Sequence, residues 1–362
     1  MKPTIATWSL LFALSASGLS VLAQPVQPPP ATSTPVGDLL KSAPYIEIAN
    51  GTLTARIARI DAVTGFYNGT RFDQAGVVTS LKLGGREFYG PWFEKTSPTV
   101  LDYTYVGNDI VAGPDSAISG PVEEFAPLNF EPRPRLFIKP GVGVLEQPDS
   151  QAYDHYRHYR IMDAGKRTTR ITKTSVTFTQ TLNDLGYGYI HEKTLSLVPG
   201  KPQLLITNRL RNTGQKAINT SVYNHNFLRL LRGNNGTKIT FPFTLSAASP
   251  PPADLLRIEG KTLAYLRPMK NKERISFLLT GFGNTAADYD FTIEDTANGG
   301  GVRVQGDQPI ARLNIFSVDR VQSVEPFIAI DLVPGQEKRW SYAYTFFAPG
   351  KKITPELQRN VR

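Results

Sequence analysis

The sequence predicts an all-β protein, a single large sandwich of mostly antiparallel strands, and three observations carry that expectation. Apolar and polar residues alternate over "YIEIANGTLTARIARID" (45–61), the period-two pattern of strands with one buried face. Turn residues recur at the spacing of short strands. No sustained helical period runs between 40 and 350. At 362 residues the chain is long enough for two domains, but large β sandwiches reach this size as one unit. No Pro/Ser/Gly-rich linker divides residues 42–349, which are read as one domain.

From the N-terminus, Lys2 precedes the apolar run "ATWSLLFALSASGLSVLA", which closes on Val21-Leu22-Ala23. This is the pattern of a secretory signal peptide over 1–23, cleaved near Ala23/Gln24. The expected location is therefore periplasmic or secreted, with no membrane attachment after cleavage. Residues 24–41, including "QPVQPPPATSTP", read as a Pro-rich tether without enough apolar surface to fold. The first hairpin turns at Asn50-Gly51, a strong short-range hairpin signal. Strands are expected in "GVVTSLKLGGREFYG" (76–90) and "TSVTFTQTL" (174–182). Two long strands meet at "NTGQ" within 203–228, and a similar pair meets at Pro334-Gly335 within 326–347. Residues 350–362, "GKKITPELQRNVR", form a basic tail.

Composition removes several function classes. Without cysteine there is no disulfide, thiolate metal site or cysteine nucleophile. The net charge is +9, yet the basic residues are spread along the chain. No Lys/Arg-rich run with interleaved aromatics marks a nucleic-acid surface, so no nucleic-acid partner is expected. "HYRHYR" (155–160) and "GKRTTR" (165–170) read either as solvated strand faces or as the lining of an anionic site. There are four histidines; on a strand, the spacing of His155 and His158 points them to opposite faces. With no H-E-x-x-H, neither a metal nor another cofactor is expected. No G-x-S-x-G occurs, and "GFGN" (281–284) and "NGGG" (298–301) read as turns rather than nucleotide loops.

Two residues stand out. His225 sits between asparagines in "SVYNHNFL" (221–228), an otherwise apolar strand where an unsatisfied buried polar group costs about 1–3 kcal/mol. Glu325 in "SVEPFIAIDLVPG" (323–335) is equally costly unless paired or functional. Together they begin to look like one site. A hydrogen-bonded core histidine and a buried Glu–Arg pair are the competing structural readings.

From "DHYRHYRI" through "VTFTQTL" to "VYNHNF", the chain resembles the core of the aldose 1-epimerases, the galactose mutarotase-like family. Asn224-His225-Asn226-Phe227 is similar to that family's Asn-His-x-Tyr/Phe-Phe motif. "VEPF" (324–327) is similar to its Glu-Pro-Gln motif, with Phe327 where glutamine is usual, and "LVPGQEKRW" to its closing turn and strand. The resemblance implies a galactose-mutarotase-like β-supersandwich with a sugar cleft on the concave face of the larger sheet. It also implies a sugar or glycan partner, Glu325 as base toward the anomeric hydroxyl and His225 as acid toward the ring oxygen, without cofactor. Asn224 is then a substrate contact. His155 and His158 fall near the spacing of the family's second histidine, without the two glycines that follow it there. Arg71 and Asp73 are candidate sugar contacts, and Trp92, Tyr153 and Tyr189 candidate stacking residues. The alternative is a non-catalytic carbohydrate-binding protein on the same fold.

Overall fold

The structure is a computed structural model that describes residues 32–229, 234–270 and 272–350. The expected signal peptide, the first part of the tether and nearly all of the basic tail lie outside the described residues. Two large sheets dominate. The ten-stranded sheet runs from Lys166–Ile171 through Ser175–Asp184, Tyr187–Leu197, Gln203–Asn212 and Glu337–Phe347 to Leu256–Glu259 at its far edge. The six-stranded sheet is ordered Ser246–Ala247, Arg274–Thr280, Arg312–Val318, Val321–Leu332, Ile218–Phe227, Gly120–Phe125. Among named strands all pairings are antiparallel except that of Lys95–Thr96 with Asp109–Ala112.

The expected strands are present. Tyr45–Ala49 pairs with Leu53–Ala58 across Asn50-Gly51. There Asn50 Oδ1 accepts the backbone N–H groups of Thr52 and Leu53, and Gly51 takes φ +86°, as an Asx turn requires. The two long pairs behave differently from simple hairpins, because "NTGQ" and Pro334-Gly335 carry the chain from one sheet to the other. Gln203–Asn212 pairs with Glu337–Phe347 in the larger sheet, and Ile218–Phe227 with Val321–Leu332 in the smaller. The tether is also shorter than expected. Thr34–Pro35 pairs with Lys95–Thr96, and a helix follows over Val36–Ser42, with Val36 and Leu39 packed on a buried cluster. Two apolar residues three apart give this short segment an anchor that composition alone concealed.

Period-two alternation sorts the side chains. On Val321–Leu332, Val324, Ile328 and Ile330 join the core between the sheets, against Leu195, Leu204, Ile206 and Tyr344. Ser323, Glu325 and Phe327 therefore turn to the opposite face of the six-stranded sheet. On Ile218–Phe227 the same rule sends Val222 inward and Tyr223, His225 and Phe227 outward. The outer face of the smaller sheet is where the candidate side chains His225 and Glu325 gather.

Candidate active site

A cleft of about 400 Å³ opens on that face. Its floor is the six-stranded sheet, and this corrects the expectation that the larger sheet would carry it. The larger sheet's inner face is closed by the core, whereas the smaller sheet's outer face is covered in part by the strands Tyr103–Val106 and Asp109–Ala112 and, over the cleft, by loops bearing Arg71, Trp92, Asp102, Tyr153 and His155. Cross-strand register assembles the floor: Asn314 stands opposite Glu325, Arg312 opposite Phe327, and Tyr223 opposite both Phe327 and Glu124.

Glu325 and His225 meet here. Glu325 Oε1 lies 3.0 Å from His225 Nδ1, and that nitrogen is also 2.9 Å from Ser323 Oγ. Asn314 Nδ2 donates to Glu325 Oε2 at 2.9 Å. Glu325 Oε1 accepts no hydrogen bond among the described residues. Both side chains line the cleft and both are about 95% buried. Burial raises the Glu325 carboxyl to about 7, offset in part by the Asn314 hydrogen bond and by Arg71. Burial, reinforced by Arg71, pushes His225 well below the usual imidazole range. Phe227 stacks on the imidazole with ring centroids 3.7 Å apart, and Phe72 approaches at 5.4 Å. The pair thus holds a carboxyl poised near neutrality beside a neutral imidazole, a form suited to moving one proton between two groups.

Arg71 lines the cleft. Its Nε donates to Glu124 Oε2 at 2.9 Å and its Nη2 to Tyr223 Oη at 3.3 Å, while the Tyr223 hydroxyl donates to Glu124 Oε2 at 2.6 Å. Lys139, fully buried, reaches Glu124 Oε1 at 3.4 Å. Against the upward push of burial, Arg71 and then Lys139 hold the Glu124 carboxyl well below the carboxylate range. His155 also lines the cleft; burial, then Arg71, lower it to about 3, so it is a neutral donor/acceptor at physiological pH. Trp92 and Tyr153 line the cleft with Tyr156, Phe316 and Phe327.

Five expectations are corrected. His158 does not line the cleft: it is half exposed and its Nδ1 lies 3.0 Å from Asp115 Oδ2, which raises its pKa through that hydrogen bond. The segment carrying both histidines is a turn rather than a strand. Asn224, one residue from His225, necessarily faces the opposite side, fully buried between the sheets with neither side-chain polar atom hydrogen-bonded among the described residues. Asp73 also lies in the inter-sheet core, ion-paired to Lys193. Tyr189 is a core residue that donates to Gln180. The other asparagine beside His225 ties the strand to its neighbours, since Asn226 donates to Val324 O at 2.7 Å and accepts the Tyr344 hydroxyl at 2.6 Å.

Sequence reasoning missed Glu124, Arg274, Arg312 and Asn314. Each is a polar residue at an unremarkable position on a short strand, and only the register brings them together. Among the described residues, Asp73, Glu123 and His191 form a group with ligand-type atoms within 4.8 Å of one another. The Lys193 ammonium already sits between its carboxylates, 2.5 Å from Asp73 and 2.8 Å from Glu123.

The fold is that of the galactose mutarotase-like β-supersandwiches. A structure of a putative aldose 1-epimerase from Escherichia coli K12 superposes with a TM-score of 0.51 at 12% identity, over 84% of this chain and 99% of that one. A galactose mutarotase related enzyme from Lactobacillus acidophilus gives a TM-score of 0.49 at 13% identity, over 86% of this chain and all of that one. No protein-family model matches the chain, and no curated protein does.

Proposed function

We propose that the cleft binds an aldose and interconverts its anomers by ring opening, with Glu325 and His225 exchanging the protons. The observation that carries this reading is the contact between these two buried residues on the wall of the cleft, with the carboxyl raised to about 7. Anomer exchange needs one group to take the proton of the anomeric hydroxyl and another to give one to the ring oxygen, and a pair that shares one proton near neutral pH supplies both. In its ionised form Glu325 is the base, with Oε1 beside His225 Nδ1 and free of hydrogen bonds among the described residues, and Asn314 fixing Oε2. His225 accepts the proton in relay and returns it, positioned by Ser323 and packed against Phe227 and Phe72. Aromatic walls at Trp92, Tyr156, Phe316 and Phe327 suit the apolar faces of a sugar ring. His155 and Arg71 suit its hydroxyls.

The test is mutarotation of a panel of aldoses followed by polarimetry or NMR near neutral pH. Glu325→Gln and His225→Asn are each expected to lose acceleration by about 10²–10⁴-fold. Acceleration that persists in Glu325→Gln would overturn the assignment. Sugar binding without acceleration in any form would favour a non-catalytic carbohydrate-binding protein.

A further inference from the structure

The cations around the cleft are not matched one to one by acids. Arg71 and Lys139 share the single carboxylate of Glu124, and Arg274 pairs with Asp102 at 3.1 Å. Arg312 lines the cleft, is solvent-exposed, and has no carboxylate partner among the described residues. Its guanidinium is not loose: Cζ lies 3.6 Å from the centroid of the Phe327 ring, and Phe327 in turn stacks on Tyr223 with centroids 4.1 Å apart. A guanidinium seated over an aromatic face is restrained by it, while its N–H groups remain available to a ligand.

Its place relative to the acid/base pair is fixed by the strand. Arg312 and Asn314 stand two residues apart on the same face of Arg312–Val318, so about 7 Å separates them along the sheet. Asn314 holds Glu325. A sugar with its anomeric end at Glu325 therefore spans one pyranose ring before reaching the guanidinium, which meets the substituent on the exocyclic carbon. A neutral hydroxymethyl group there leaves the cleft's positive charge uncompensated. A carboxylate or other oxyanion meets it with charge-assisted hydrogen bonds.

Resting on the reading of this cleft as an aldose site, we propose that its substrate is an acidic aldose, bearing an oxyanion on the exocyclic carbon, and that Arg312 binds that group and sets the preference for it.

The experiment compares mutarotation of glucuronate and galacturonate with that of glucose and galactose, and glucose 6-phosphate serves as the phosphate-bearing arm. The expected result is a kcat/KM at least tenfold higher for the acidic member of a pair. Arg312→Ala is expected to reduce that ratio about 10–100-fold, mainly through KM of the acidic sugar. Arg312→Lys should retain part of the preference, and added salt should weaken the acidic substrate selectively. Whether the uronates or the phosphosugar gain most identifies the oxyanion's source. Equal kcat/KM for acidic and neutral sugars, or an unchanged ratio in Arg312→Ala, overturns the proposal while leaving anomer exchange intact. Absence of acceleration for every sugar, with calorimetric binding of a uronate that Arg312→Ala abolishes, upholds the acid preference and removes the catalytic reading. Absence of both binding and turnover of acidic sugars overturns it whatever the neutral sugars do.

Discussion

Glu325 shows how a buried carboxyl is tuned by its setting, and the same setting has a cost in stability. Its value in the fold is about 7, against an ordinary 4.5. Between those values the folded protein binds the proton that the unfolded chain has released. Stability from this group is therefore fully present below about 4.5 and is lost as pH rises through about 7. Replacement by glutamine, which keeps the shape and the Asn314 contact but carries no charge, removes that loss. Glu325→Gln is expected to be more stable than the parent by about 1–3 kcal/mol at pH 8, with the difference shrinking toward pH 5, as urea titrations at the two pH values would read. A difference independent of pH would contradict the raised carboxyl. His225 and Glu325 were legible in the sequence because each is expensive in an apolar strand without a partner, and each proves to have the other. Asn224 was misread from its neighbourhood to His225, although alternation alone puts adjacent strand residues on opposite faces.

At the level of the strand, what sequence cannot display is register. Asn-Gly at 50–51 and Pro-Gly at 334–335 announce turns, because they solve a local backbone problem. Nothing local says that the second turn leads into the other sheet, or that Asn314 will stand opposite Glu325. Gly120 is a place where a local signal does report a long-range join. It begins the edge strand that delivers Glu124 to Arg71, at φ +74°, and a Cβ there would lie 2.3 Å from Val78 O. The neighbouring Ser119 Oγ donates to that same carbonyl at 3.0 Å, so the approach is tight on both sides. Gly120→Ala is expected to cost about 2–4 kcal/mol, from the left-handed backbone and the steric displacement together. Its signature is a lower urea midpoint. A midpoint unchanged within error would show that the edge strand can move away without penalty.

Across the whole molecule, the two sheets are joined by polar groups as well as by apolar packing. Lys193, from the larger sheet, bridges Asp73 and Glu123. Glu123 Oε1, from the smaller sheet, also accepts Asn208 Nδ2 at 3.0 Å and the Trp340 indole N–H at 2.9 Å, both from the larger sheet. Every member is buried. Burial tends to lower the lysine's pKa, but Asp73 and then Glu123 reverse this and raise it, so the ammonium stays charged. Such a bridge fixes how the sheets face each other, because the carboxylates cannot be left alone in a low-dielectric interior. Lys193→Met keeps the volume of the stem but leaves two carboxylates facing His191 without a cation. The expected loss is about 3–5 kcal/mol, read as a lower denaturant midpoint with little change in slope. Adding Glu123→Gln to Lys193→Met removes one of the stranded charges and should recover part of that loss, most clearly at alkaline pH. If the double variant is no more stable than the single one, the loss comes from the packing of the lysine stem rather than from its charge, and the polar bridge is incidental to how the sheets are held.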